Sequence, residues 1–169
     1  MEHLLELTFT GTSRHKVDGK GRVSIPAQFR RVLEAADPKW QDGLAPRLYI
    51  AHGDDEQPYL ECFSVSAMEE ITQGIDRLPL GSPRREALEF YFNGMTFGTS
   101  TDETGRLVLS AALRKQIGVT GEAVLVARGK SFRILSPEAY DAYAAEQRQR
   151  LAALAKGGNP LALLSDEGE

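Results

Sequence analysis

One stretch of this chain is written twice. Residues 18–33 read DGKGRVSIPAQFRRVL and residues 102–117 read DETGRLVLSAALRKQI. Asp18/Asp102, Gly21/Gly105, Arg22/Arg106, Ala27/Ala111 and Arg30/Arg114 are identical, and Val23/Leu107, Ile25/Leu109, Phe29/Leu113, Arg31/Lys115 and Leu33/Ile117 are conservative pairs. The likeness continues downstream, where LYIA (48–51) returns as AVLV (123–126) and LECFSVSAMEEI (60–71) aligns without gaps with FRILSPEAYDAY (132–143). The offset falls from 84 to 72 between these blocks, so the first copy carries a net insertion of twelve residues. The loop DPKWQDGLAPR (37–47) and the polar GDDEQP (53–58) are where a fold tolerates it. In a chain of 169 residues each copy has roughly 80, near the size at which a lone core becomes marginal. The two copies are therefore expected to lean on each other, or on further subunits.

Each copy has the same coarse order. A strand leads into a glycine turn (DGKG, DETG), and a second strand follows, alternating in Arg22-Val23-Ser24-Ile25 and more apolar in Arg106-Leu107-Val108-Leu109. A short helical turn carries Phe29, Val32 and Leu33 inward, with Leu113 and Ile117 as counterparts. Two more strands and a helix complete the unit. Ser66-Ala-Met-Glu69 has the capping-box pattern, with Met68, Ile71, Ile75 and Leu78 as an apolar stripe. Alignment with Ser136, the expected cap of the second closing helix, points instead to Ser64 as its counterpart. Pro137 suits the first helical position, and Tyr140, Tyr143, Leu151 and Leu154 continue that helix's apolar face. A linking helix starts at Ser82-Pro83, with Leu88, Tyr91, Phe92 and Met95 spaced to pack between the units. The expected divisions are a first unit at 9–78, the linking helix at 79–96, a second unit at 97–150, and a helix end with a frayed acidic tail at 151–169. The fold class expected is α+β and β-rich.

Composition removes several function classes. Cys62 is the single cysteine, which excludes an intrachain disulfide, argues against a metal cluster and reads as a small buried apolar residue in a strand. The three histidines, His3, His15 and His52, have no serine, cysteine or acid motif around them that builds a triad or metal site. The expectation is a non-enzyme with no cofactor. No apolar run approaches the roughly 18–20 residues of a membrane span, and the N-terminus lacks a basic leader, so no membrane partner and a cytosolic location are expected.

The net charge of −4 argues against a protein that coats nucleic acid indiscriminately. The distribution says more. From Arg14 to Arg31 stand Arg14, Lys16, Lys20, Arg22, Arg30 and Arg31 against Asp18 alone, and His15 could add a partial charge. The second copy is weaker, with Arg106, Arg114 and Lys115 against Asp102 and Glu103. Basic residues around a turn that enters a strand are a sensible way to reach DNA. A two-stranded ribbon fits the major groove, an arginine fork can take guanine O6 and N7, and nearby lysines can sit on phosphates. Equally, Asp18 and Arg22, or Asp102 and Arg106, could simply pair across their own turns, a solvent-exposed pairing worth about 0–1 kcal/mol. Arg30 and Arg31, on the helical turn, read as ordinary surface residues.

FTGTSRHKVDGKGRVSIPAQFR (9–30) and STDETGRLVLSAALRKQIGV (100–119) resemble the two DXXXR-bearing halves of the MraZ family, and IDRLPLGSPRREALEFYFNG (75–94) resembles the segment that joins them. The resemblance implies two swapped-hairpin units of the AbrB/SpoVT type, paired within the chain as a pseudo-dimer in a double-psi-like barrel with flanking helices. It implies a nucleoid-associated transcription regulator, usually a repressor, that forms ring homo-oligomers. Such rings bind repeated double-stranded DNA sites upstream of the division and cell-wall gene cluster, their own gene included. Arg22 and Arg106 then fall on the motif arginines that contact DNA, Asp18 and Asp102 on the motif acids, and Lys20 on the lysine before the first arginine. Arg14 and Lys16 extend the same basic stretch. The sequence departs from the family pattern at Ser110, the counterpart of Pro26, at Leu135, where a tryptophan is common, and in a longer N-terminus.

Two rival readings remain. Gly81-Ser82 is the kind of dipeptide at which some barrels of related topology self-cleave to a pyruvoyl group, but Pro83 follows, so Ser82 reads as a helix cap. An antitoxin-like module would trail a disordered segment that wraps its partner, whereas the tail here is short and mostly the end of a helix. An acidic protomer with a modest basic loop should also bind DNA weakly alone, and a ring of such loops could gain roughly 10²–10⁴ in avidity.

Overall fold

A computed structural model describes residues 4–165 of the chain. A short 3-10 turn, Leu5–Leu7, precedes the first copy, which comprises β1 (Thr12–Lys16), β2 (Arg22–Ser24), α1 (Ala27–Ala35), β3 (Arg47–Ala51), β4 (Tyr59–Phe63) and α2 (Val65–Asp76). After α3 (Pro83–Phe92) the second copy follows in the same order: β5 (Thr96–Ser100), β6 (Arg106–Val108), α4 (Ala111–Gln116), β7 (Glu122–Arg128), β8 (Ser131–Leu135) and α5 (Pro137–Ala155). The fold is α+β, but more residues lie in α-helix than in strand, so it is less β-rich than the sequence led us to expect.

The copies are interleaved through their strands. A six-stranded antiparallel sheet runs β1-β7-β8-β4-β3-β5, and β2 pairs with β6 as a separate two-stranded ribbon. The first strand of each copy thus lies against the third strand of the other: Arg14 opposite Val124 on one side, Gly98 opposite Tyr49 on the other. The fourth strands meet in the middle, with Glu61 opposite Arg133. The expected closed double-psi-like barrel is not formed. The sheet is open, with β1 and β5 at its edges: β2 and β6 bond to each other as a three-residue ribbon, and among the described residues the ribbon's one further bridge is Val17–Val23, just past the end of β1.

Strand alternation explains the layers. Leu48, Ile50, Leu60, Cys62, Ala123, Leu125, Phe132 and Ile134 face one side of the large sheet, where Val23 and Leu107 of the ribbon and Phe29, Leu33 and Ile117 of the short helical segments close over them. Phe9, Phe29 and Phe132 form a ring cluster with centroids about 5 Å apart. Cys62 is fully buried there as a free thiol, and burial pushes its pKa well up. On the other face Val124, Val126 and Leu135 pack with Tyr59, Tyr140 and Tyr143 beneath α5.

Several details differ from expectation. The cap of α2 is Ser64, whose side chain accepts from the Ala67 N–H, and not Ser66. Helix α3 packs on the first copy and not between the two. Its Arg85 donates to the Leu78 carbonyl, Phe92 stands edge-on to Phe63, and no residue of α3 is buried. Leu151 and Leu154 are exposed, since α5 runs on past the sheet that its first turns cover. The tail holds a further 3-10 turn, Pro160–Leu164, after a left-handed Lys156. The acidic end at 166–169, and His3, lie outside the described residues. The inserted loop is pinned: Asp37 is buried and takes two hydrogen bonds from Arg47, and Trp40 Nε1 donates to the Leu44 carbonyl at 2.8 Å.

Candidate nucleic-acid interface

Each glycine turn is built by its aspartate. Asp18 Oδ1 accepts from the backbone N–H groups of Lys20 (3.0 Å) and Arg22 (2.9 Å), while Oδ2 accepts from Arg22 Nε at 2.6 Å. Asp102 repeats the arrangement with Thr104 and Arg106, the Arg106 Nε lying 2.9 Å from Oδ2. Asp and Asn close turns in this way because a short side chain reaches the N–H two residues on. The acceptor role holds both carboxyls down to a pKa of about 2, chiefly through the Arg22 and Arg106 backbone N–H groups. The pairing of each arginine with its own acid, one of the two readings left open by the sequence, is therefore present.

That pairing uses only one edge of each guanidinium. Among the described residues no hydrogen-bond acceptor takes the Nη groups of Arg22 or Arg106, and both side chains remain about one-third exposed. Their placement follows from the ribbon register, Arg22 opposite Val108, Val23 opposite Leu107 and Ser24 opposite Arg106. Val23 and Leu107 point into the core, so alternation puts Arg22, Ser24, Arg106 and Val108 on the outer face. The two arginines are diagonal neighbours there, with Cα atoms roughly 7–8 Å apart by sheet geometry. Each is oriented by its acid, and both open toward solvent.

The turns are also locked to each other. The Leu109 N–H donates to the Gly21 carbonyl at 2.8 Å, and the Ile25 N–H to the Gly105 carbonyl at 3.0 Å. Gly21 and Gly105 are buried at φ +84° and +78°, where an L side chain is strained. A Cβ at Gly21 would collide with the Leu109 carbonyl oxygen, and one at Gly105 with the Arg30 guanidinium. Arg30 is accordingly not an ordinary surface residue. Its Nε donates to the Ile25 carbonyl and its guanidinium lies on the Gly105 turn of the other copy, just as Arg114 donates to the Leu109 carbonyl and lies on the Gly21 turn. The identity of Arg30 and Arg114 in the repeat was the available signal. Arg31, by contrast, is exposed as expected.

The other three predicted contact residues belong to the first copy. Arg14 and Lys16 are exposed on edge strand β1, and Lys20 is exposed in the turn. Their repeat counterparts are Gly98, Ser100 and Thr104. His15 adds little charge at neutral pH, because burial lowers its pKa from 6.5, and its Nε2 sits 2.7 Å from Ser13 Oγ. Among the described residues no group of three or more His, Cys, Asp or Glu could hold a metal ion, and no helix is long and apolar enough to cross a membrane.

The sequence model described as "MraZ protein, putative antitoxin-like" matches residues 8–50 and 94–157, one segment in each copy and more than half of the chain. The chain belongs to the MraZ family. The family is not an enzyme family. Relatives named "Transcriptional regulator MraZ" include one from Ruegeria sp. (strain TM1040), 50% identical over 161 residues, covering 95% of this chain and 96% of the relative. Another, from Ruegeria pomeroyi, is 53% identical over 133 residues, covering 79% and 80%. One from Gluconacetobacter diazotrophicus is 30% identical over 147 residues, covering 87% and 90%.

Proposed function

We propose that this MraZ-family protein is a transcription regulator that binds double-stranded DNA in a sequence-specific way through the outer face of the β2–β6 ribbon. The observation that carries this is the diagonal pair Arg22 and Arg106, each held through Nε by its own acid, each about one-third exposed, and neither with an Nη acceptor among the described residues. A fork held in that way can take two acceptors on one base edge, and guanine O6 and N7 match it. Lys20, Arg14 and Lys16 would set the ribbon on phosphates. Asp18 and Asp102 are positioning residues that hold the forks.

The finer reading follows from the family resemblance. Residues 9–78 and 97–150 act as two AbrB/SpoVT-like swapped-hairpin units joined by 79–96, paired as a pseudo-dimer within one chain. Several chains form a ring that grips repeated sites upstream of the division and cell-wall gene cluster, its own promoter among them, and acts as a repressor there, in the cytoplasm and on the nucleoid. An acidic protomer favours this arrangement, because linked weak contacts gain avidity that a single contact lacks. The test is a titration of the purified protein against duplexes carrying one, two and several promoter repeats, with a footprint upstream of its own gene. Affinity that climbs steeply with repeat number and falls with salt is expected. Equal affinity for one repeat and several would remove the ring. Indifference to every duplex at low salt would remove the DNA reading altogether.

A further inference from the structure

We propose that the Glu61–Arg133 pair makes the β4–β8 seam an interaction surface that admits only unlike halves, a first copy against a second copy. Tyr59 faces Leu135, Leu60 faces Ile134, Glu61 faces Arg133, Cys62 faces Phe132 and Phe63 faces Ser131. In the repeat alignment Glu61 and Arg133 are the same position. The seam is therefore centred on a residue that meets its own counterpart. Any pairing of two identical units by this strand would put Glu61 against Glu61, or Arg133 against Arg133.

The surroundings make such a pairing costly. The side chains of Glu61 and Arg133 are only 7% and 14% exposed, with Arg133 Nε 2.8 Å from Glu61 Oε1. Ser131 Oγ donates to Glu61 Oε2 at 2.5 Å, Arg128 Nη1 lies 3.8 Å from Oε1, and the Arg133 guanidinium stacks on Tyr59 at 3.9 Å. Tyr59 is the counterpart of Ser131. In a first-with-first seam it would stand where Ser131 donates, beside two opposed carboxylates. In a second-with-second seam Arg133 would lose both its carboxylate and the Tyr59 ring, keeping only the more distant Tyr143 of its own copy. Like charges directly opposite in a sheet repel, and a buried charge without a partner is strongly destabilising. The core side of the seam does not discriminate, since Leu60, Cys62, Phe132 and Ile134 are apolar in both copies.

The consequence concerns assembly. Like-with-like pairing would join one chain's first half to the next chain's first half, and second to second, with no need to close, which is the route to open strings. Unlike pairing is satisfied within one chain, where the linker keeps the two halves at high effective concentration. A single unit pairing with a copy of itself could not place opposite charges at this position; a duplicated chain can.

The test uses full-length Glu61→Arg, Arg133→Glu, and the double reversal Glu61→Arg/Arg133→Glu, followed by thermal melting and native mass spectrometry. Each single reversal is expected to lower Tm by roughly 10 °C or more, or to come out insoluble. The double reversal recovers most of the loss. The two single variants, co-expressed with different tags, have complementary charges only between chains, and are expected to rescue each other as a strictly equimolar assembly. Single variants that melt and assemble as the unmodified chain does would overturn the proposal. So would a co-expressed pair that fares no better than either alone, or a double reversal as poor as the singles.

Discussion

The two turns share one local design but stand in different fields. Both place an aspartate, a buried left-handed glycine and an outward arginine in the same hydrogen-bonded frame. Around Arg22 stand Arg14, Lys16 and Lys20; around Arg106 the same positions hold Gly98, Ser100 and Thr104, with Glu103 beside them. Geometry and charge have been separated by the duplication. The frame needs its aspartate and glycine in both copies, because each turn's carbonyl also receives a bond from the other copy's chain. The side chains of Arg14, Lys16 and Lys20 hold no backbone bond of either turn, unlike Arg30 and Arg114. The first turn should therefore supply most of the electrostatic attraction, and the second a directed contact with little field behind it.

The sharpest way to break this comparison is Arg22→Ala against Arg106→Ala. Losing a two-pronged base contact costs about 1–3 kcal/mol, or about fivefold to 150-fold in affinity. Arg22→Ala is expected at the upper end and Arg106→Ala at the same level or below, both retaining the wild-type circular dichroism spectrum. An anisotropy titration on promoter DNA decides it, and a larger loss from Arg106→Ala would reverse the ranking. Unfolding of Arg22→Ala would mean that its bond to Asp18 is chiefly structural.

Stability gives the second contrast. Gly21→Ala and Gly105→Ala both force an L residue into left-handed backbone at about 1–2 kcal/mol. Gly21→Ala should melt lower still, since its Cβ meets the rigid Leu109 carbonyl and the Gly105 Cβ meets the movable Arg30 side chain. Scanning calorimetry of the pair reads the difference.

Salt dependence comes next. Lys20→Ala should flatten the plot of log affinity against log salt by about 0.9 if that lysine displaces one counterion, and Ser100→Lys, which writes Lys16 into the second copy, should steepen it by a similar amount. No change from either would show that the field around the turns does not touch the duplex.

Acid should affect the two turns alike. Both carboxyls sit at about 2, below the usual 3.8. A depressed acid stabilises the folded state above its unfolded value, and that contribution is lost as pH falls through the folded one. The turns are expected to hold from neutral pH to about 3.8 and to loosen between there and about 2, followed by the amide shifts of Arg22 and Arg106. The smallest effect belongs to His15→Gln. Because burial lowers the pKa of His15, the change should leave the dissociation constant at pH 7.5 within about twofold, and a wild-type advantage should emerge only as the pH drops below 6.5.

Much of this was legible in the residues, for a physical reason. The pairing of each aspartate with the arginine four positions on and the Ser82 and Ser136 caps are bonds between near neighbours, and a local bond writes itself into local spacing. The order of elements followed from two copies confirming one pattern. Ser64 was visible only through the alignment of the copies, since Ser66 had the better capping-box spelling. By itself the sequence determined a duplicated α+β chain with two basic glycine turns, each carrying an aspartate and an arginine four positions on.

The tertiary structure decided which strands would meet. Nothing local says that β1 seeks β7, that the ribbon leaves the large sheet open, or that Arg30 and Arg114 each reach across to brace the other copy's turn. Glu61 and Arg133 are 72 residues apart, and each alone reads as an ordinary surface charge. Long-range pairing is selected by the whole buried interface at once, by its register, volume and charge, and no window of neighbouring residues contains that sum.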